Sequence, residues 1–144
     1  MPLLVDGDNL LGTWRGRKRS DAERQRLAVE LARYASREGK RLLIVFDGKP
    51  APGMHFGAGV SFSGPGRKAD DAILERLRAE TDRRGWTVVT SDRSLGDQCR
   101  WLGSRVERCD RFRPRLTGAT VDEKPERETD IDYWIQEFGD DSLT

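Results

Sequence analysis

The chain has 144 residues, 35% hydrophobic and 35% charged, which suits one polar domain able to bury its own core. Two cysteines exclude a disulfide scaffold, and no apolar run approaches the ~20 residues needed to span a bilayer. The net charge of +1 hides an asymmetry: residues 1–121 hold 24 Lys/Arg and 16 Asp/Glu, whereas residues 122–144 hold 2 and 9. A body of +8 suits a polyanion, nucleic acid above all, and the −7 segment stands apart as an acidic tail. The start of the chain lacks a signal-peptide layout, so a soluble cytoplasmic protein with no membrane association is expected.

Leu3 to Val5 is a short buried strand ending at Asp6, with Gly7 and Gly12 marking a turn and Arg15 to Arg19 a basic loop. Ser20 and Glu23 have capping-box spacing, and Leu27, Leu31 and Tyr34 behind them form an apolar helical face that Gly39 stops. Arg41 to Phe46 is a second strand, bounded by Asp47-Gly48. Residues 48–66 form a long glycine- and proline-rich loop, with a short strand at Gly59 to Phe62. A helix is expected from Lys68 to about Arg84, with Ala69, Ile73, Leu74 and Leu77 facing inward. Trp86 to Thr90 is a third strong strand. Leu95, Cys99 and Leu102 lie on a short helix, and Arg105 to Cys109 is a last strand. Residues 110–130 read as irregular. Ile131, Trp134, Ile135 and Phe138 have the spacing of a short amphipathic helix in the tail. Alternating strands and helices predict a three-layer α/β fold, a mainly parallel sheet with helices on both faces. Residues 1–121 are read as the domain and 122–144 as the tail.

The acids fall at informative places. Asp6 and Asp8, Asp47, and Asp92 follow strands, and Asp70 with Asp71 opens a helix. In a parallel α/β sheet, ligands bind beyond the carboxyl ends of the strands, so these carboxylates can meet in one crevice. Their mutual repulsion calls for a hard cation, Mg²⁺ or Mn²⁺, which points to an enzyme acting on phosphate esters. For each acid alone a simpler reading exists: Asp is common in turns and favours a helix's first turn. Arg15, Arg17, Lys18, Arg19, Arg67, Lys68 and Arg93 border the expected crevice and suit phosphates, although any one of them alone is more ordinarily a solvated surface charge. Trp14 and Trp101 are read as packing residues rather than base-stacking ones, and His55 as a loop residue.

VDGDN in the first strand, VFDG in the second, KADDAI opening a helix and TSD after a later strand resemble the NYN branch of the PIN-like ribonucleases, in particular its YacP-like group. The resemblance covers roughly residues 3–110. It implies a PIN-like fold and a Mg²⁺- or Mn²⁺-dependent endoribonuclease with RNA as partner; ribosome association follows by family analogy alone, and the oligomeric state stays open. The family's site positions map to Asp6, Asn9, Asp70, Asp71 and Asp92. Asp8 occupies the variable position of the family's DGxN pattern, and no role is assigned to Asp97. The implied roles make Asp6 and Asp92 central metal ligands, completed by Asp70 and Asp71, with Asp47 a ligand or a support. Asn9 and Ser91 would orient water, carboxylate or phosphate.

Two other readings compete. Asp6-Gly7-Asp8 after a strand is also the DxD of a haloacid-dehalogenase-like phosphatase, but Leu10 and the order of KADD before TSD depart from that pattern. A non-catalytic RNA-binding or adaptor protein on the same fold is the second, since a fold does not confer activity.

Overall fold

The computed structural model describes residues 2–57 and 59–117, together with the backbone of 129–130 and 132–133. Five strands form one all-parallel sheet: β1 (Leu3–Asp6), β2 (Leu42–Phe46), β3 (Val60–Phe62), β4 (Thr87–Val89) and β5 (Arg105–Glu107). Their order across the sheet is β3-β2-β1-β4-β5. β1 therefore lies at the centre, with Leu4 facing Leu43 of β2 on one side and Val88 of β4 on the other. The chain builds outward through β2 and β3, then returns to the other side of β1. That reversal opens a crevice beyond the ends of β1 and β4.

The central strands β1, β2 and β4 are largely buried on both faces, which explains their apolar runs. Side chains alternate across the sheet. Leu3 and Val5 join one core with Leu10 and Leu11 of α1 (Gly7–Gly12), Leu27, Leu31 and Tyr34 of α2 (Asp21–Glu38), and Phe112 of α5 (Cys109–Leu116). Leu4 joins the other, with Ile73, Leu74 and Leu77 of α3 (Ala69–Ala79) and Leu95 and Cys99 of α4 (Arg93–Trp101). α2 starts and stops as its sequence dictates. The Ser20 hydroxyl accepts from the Glu23 amide at 3.2 Å, and Gly39 takes φ 66° at the C-terminus.

Several local expectations are corrected. The expected turn at Gly7–Gly12 is helix α1, because Leu10 and Leu11 at its heart are fully buried. α3 ends at Ala79 rather than near Arg84. The Arg83 guanidinium reaches back to the end of the helix, donating to the Leu77 carbonyl at 3.0 Å and to the Arg78 carbonyl at 3.1 Å, and so satisfies the last turn. The last strand stops at Glu107, and the segment read as irregular begins with α5. Its Cys109, Phe112 and Leu116 are an i, i+3, i+7 set interspersed with arginines, and Phe112 packs edge-to-face on Tyr34 at 5.3 Å. In the acidic segment, two-residue strands β6 (Thr129–Asp130) and β7 (Asp132–Tyr133) pair with each other, so part of the span expected to be helical is extended. Ile131, Trp134, Ile135 and Phe138 lie outside the described residues.

Gly7 joins β1 to α1 directly against the fully buried Phe46, and a Cβ there would overlap the Phe46 ring. Gly7→Ala is expected to destabilise the protein by about 1–3 kcal/mol through overpacking. Urea denaturation checks this; an unchanged midpoint would contradict the packing.

Candidate active site

Beyond the strand ends lies a cavity of about 520 Å³. Asp6, Asp8, Asn9, Asp47, Asp70 and Asp92 supply its acidic and amide lining, and Arg19, Arg67 and Lys68 its cationic lining. Residues more than 80 positions apart in the chain thus meet because β1, β2 and β4 are adjacent and parallel.

Asp6 is the last residue of β1 and is 7% exposed. Burial pushes its carboxyl up from 3.8 to about 7. The Thr90 hydroxyl, donating at 3.0 Å, opposes that rise, while the charges of Asp47 and Asp8 add to it. Thr90 Oγ1 also accepts from the Asp92 amide at 3.1 Å, so one buried hydroxyl links the two strand-end acids. Asp92 caps α4, with Oδ1 accepting from the Leu95 amide at 3.0 Å. Asp47 caps α3 from outside the helix: its Oδ1 accepts from the Ala69 amide at 2.6 Å, where Lys68 has no capping side chain. Asn9 Oδ1 accepts from the Ser91 amide at 2.7 Å. A backbone N–H only donates, so the amide oxygen must face Ser91, leaving Nδ2 for the cavity that Asn9 lines.

Asp8 is 2% exposed and belongs to a different system. Arg24 of α2 grips it with two bonds, Nε to Oδ1 at 2.8 Å and Nη2 to Oδ2 at 2.9 Å, and Oδ2 also accepts from the Asp47 amide at 2.8 Å. The pair welds α1 to α2 and to the end of β2. This engagement removes Asp8 from the role a DxD phosphatase would require of it. The long loop is pinned nearby: the Ser63 hydroxyl accepts from the Gly48 amide at 2.9 Å and donates to the Arg67 carbonyl at 2.6 Å.

The expected site residues divide accordingly. Asp6, Asn9, Asp47, Asp70, Asp92, Arg19, Arg67 and Lys68 line the cavity together. Asp71 does not; it is exposed on α3, about 100° around the helix from Asp70. Ser91 is turned to support, its hydroxyl accepting from the Cys109 amide at 2.9 Å and so holding the start of α5. Arg17 does not line the cavity either. It pairs with Glu23 at 2.7 Å and Glu30 at 2.8 Å and lies over the Trp14 ring at 4.5 Å. Arg15, Lys18 and Arg93 are exposed outside the lining. Thr90 and Arg24 escaped the sequence reading. Thr90 is signalled only by its place between an apolar run and Asp92, and Arg24 by nothing except the need of a buried Asp8 for a partner. Both thiols are free and buried, and burial raises both, Cys99 to about 11, which leaves them poor nucleophiles.

Among the described residues no three His, Cys, Asp or Glu side chains converge on a single metal position. The acids that line the cavity offer oxygen ligands only, and Asp6 is a buried carboxyl that a cation would relieve. This set fits a hard ion of the Mg²⁺ kind, which takes one or two carboxylates and keeps much of its water.

A parallel sheet in this order, with strand-end acids around one cavity, defines a PIN-like fold. The chain belongs to the YacP-like NYN domain family, whose profile matches residues 3–131, and this is a PIN-like nuclease family that implies a divalent metal. The structure is similar to a crystal structure of Rae1 (YacP) from Bacillus subtilis, with 23% identity and a TM-score of 0.70 over 83% of this chain and 75% of that one. A point mutant of the same Bacillus subtilis protein gives 25% identity and a TM-score of 0.68 over 83% and 77%. No curated protein matches the chain. No helix among the described residues is long and apolar enough to cross a membrane.

Two outcomes follow for stability. Arg24→Ala would leave Asp8 as an unpaired buried charge and is expected to cost about 3–5 kcal/mol, with Asp8→Asn in the Arg24→Ala background recovering part of the loss. A denaturation series of the three proteins checks this, and a neutral Arg24→Ala would contradict the pairing. For Asp6, the unfolded carboxyl ionises near 3.8 while the folded one holds its proton to about 7. Its contribution is therefore complete below pH 3.8 and is lost as pH rises through 7, a loss of about 4 kcal/mol at ~1.4 kcal/mol per unit. In EDTA, Asp6→Asn should melt higher than the parent at pH 8, with the gap closing below pH 4. A gap independent of pH would contradict the burial of this charge.

Proposed function

We propose that the protein is a metal-dependent endoribonuclease that hydrolyses RNA phosphodiester bonds with Mg²⁺ or Mn²⁺. The observation that carries this reading is the gathering of Asp6, Asp70 and Asp92 in one cavity with a cationic lining, at the switch point of a PIN-like sheet. Residues 1–121 act as the nuclease domain and 122–144 as an acidic tail. Asp6 and Asp92 would hold the metal, with Asp70 and Asp47 supporting it directly or through water. When bound, the ion supplies an activated water and neutralises phosphate charge.

The chain's own groups do the rest. Thr90 holds the Asp6 carboxylate in place and fixes the backbone of Asp92. Asn9, oriented by Ser91, offers its Nδ2 to a phosphate oxygen or a water. Arg19, Arg67 and Lys68 line the cavity as phosphate contacts, and Arg15, Lys18 and Arg93 extend the positive surface. Asp71 and Ser91 serve as neighbours of the site rather than as its lining.

Labelled single-stranded RNA incubated with Mn²⁺ should be cut internally, and EDTA should stop the reaction. Asp6→Asn and Asp92→Asn should each lower cleavage by at least about 100-fold, beyond the usual loss for a residue that merely supports a metal ligand. Parallel DNA and phosphatase substrates test selectivity. RNA bound but never cut, with or without metal, would favour the non-catalytic reading; full activity in EDTA would overturn the mechanism.

A further inference from the structure

Trp101, the last residue of α4, is 88% exposed, contrary to the packing role its place on a helix suggests. An indole left in water loses the stabilisation that its burial would bring. Among the described residues the only other exposed large hydrophobic is Val29, on α2 across the sheet. Among the described residues Trp101 thus has no exposed large apolar neighbour from which the core of a protein–protein interface could be made.

One cation lies close to the turn that follows it. Gly103 turns the chain after α4 with φ 99°, and a Cβ placed on it would lie 3.9 Å from Arg84 Cγ. Arg105, although exposed, lies on the other face of the sheet, in register with Thr87 and beside Glu107 and Arg115. Arg84 is exposed and forms no ion pair among the described residues, whereas Arg100 pairs with Asp97 at 3.3 Å. From Arg83 to Arg115 the sequence holds nine arginines against four acids.

The same helix leads to the proposed active site. Asp92 caps its N-terminus and lines the cavity, and Trp101 lies about 13 Å further along the axis. Between them runs an exposed stripe of Ser94, Asp97 and Gln98, in which Gln98 Nε2 donates to Ser94 Oγ at 3.3 Å. An exposed aromatic ring with an unpaired cation at the neighbouring turn can stack a base while the cation neutralises its phosphate.

We propose that Trp101, with Arg84, is a base-stacking subsite for single-stranded RNA that continues from the active site along α4. The inference rests on the RNA reading above and adds a second anchor point to it.

Binding is read by fluorescence anisotropy with labelled single-stranded RNA of about 12 nucleotides, within the usual footprint of such sites. An Asp6→Asn background keeps the RNA intact, and cleavage of the same RNA by the parent protein is measured in parallel. Adding Trp101→Ala should weaken binding about tenfold, while Trp101→Phe, which keeps a ring, should recover most of it. The slope of affinity against salt should stay unchanged in Trp101→Ala and fall in Arg84→Ala. A dinucleotide, too short to reach from the cavity, should bind both proteins alike. Equal affinity of parent and Trp101→Ala for the long RNA, with the parent still cutting it, overturns the subsite alone. Equal weakening by Ala and Phe also overturns stacking. If the parent neither binds nor cuts RNA, both readings fall.

Discussion

The Asp6 carboxyl sits at the end of the central strand, out of water and near two further acids, and much of the neighbouring architecture answers to that placement. Burial alone drives its proton affinity up to about 7, and the Asp47 and Asp8 charges push in the same direction. Leaving such a group in the core costs on the order of 4 kcal/mol at neutral pH, a large fraction of a small domain's stability. The fold restrains the repulsion by giving each neighbouring acid its own partner. Asp8 is held by Arg24, Asp47 by the start of α3, and Asp92 by the start of α4. Asp6 has only neutral donors, the Thr90 hydroxyl and the Asn9 backbone amide, and so remains the group with most to gain from a cation.

These contacts also explain how the site is held. Two of its acids sit at helix starts, where unpaired amides favour negative charge. Both helices pack on the same face of the sheet, and each carries its acid to the rim of one crevice. α1 and α2 lie on the other face, tied to the same rim by the Asp8–Arg24 pair and by Asn9. Cations line the same cavity as these acids, so that an anionic chain can approach a site that would otherwise repel it.

Much of this was legible in sequence. Unbroken apolar runs marked β1, β2 and β4, since strands buried on both faces need no polar alternation, and the acid after each run pointed to the crevice. Helix α2 carried its cap and stop openly. α1 was hidden because a six-residue helix between two glycines looks like a turn until Leu10 and Leu11 are seen to be buried. α5 was hidden by its arginines, which mask a three-residue apolar stripe. Within the site, the separation of Asp70 from Asp71 depends on helix rotation relative to a cavity, and the ion pairing of Arg17 depends on the position of α2. Neither follows from local pattern. The same holds for Trp101, whose place on a helix suggests packing although it lies in line with the exposed stripe of Ser94, Asp97 and Gln98.

The central claim is that Asp6 is kept buried and unrelieved for a divalent cation. Its most direct test is the melting temperature of the full chain and of Asp6→Asn at neutral pH, each with EDTA and with Mn²⁺. Binding to the native state alone should raise the melting temperature of the parent as Mn²⁺ is added, and Asp6→Asn should respond weakly or not at all. A parent protein indifferent to Mn²⁺, or an equal rise in both proteins, would contradict the account.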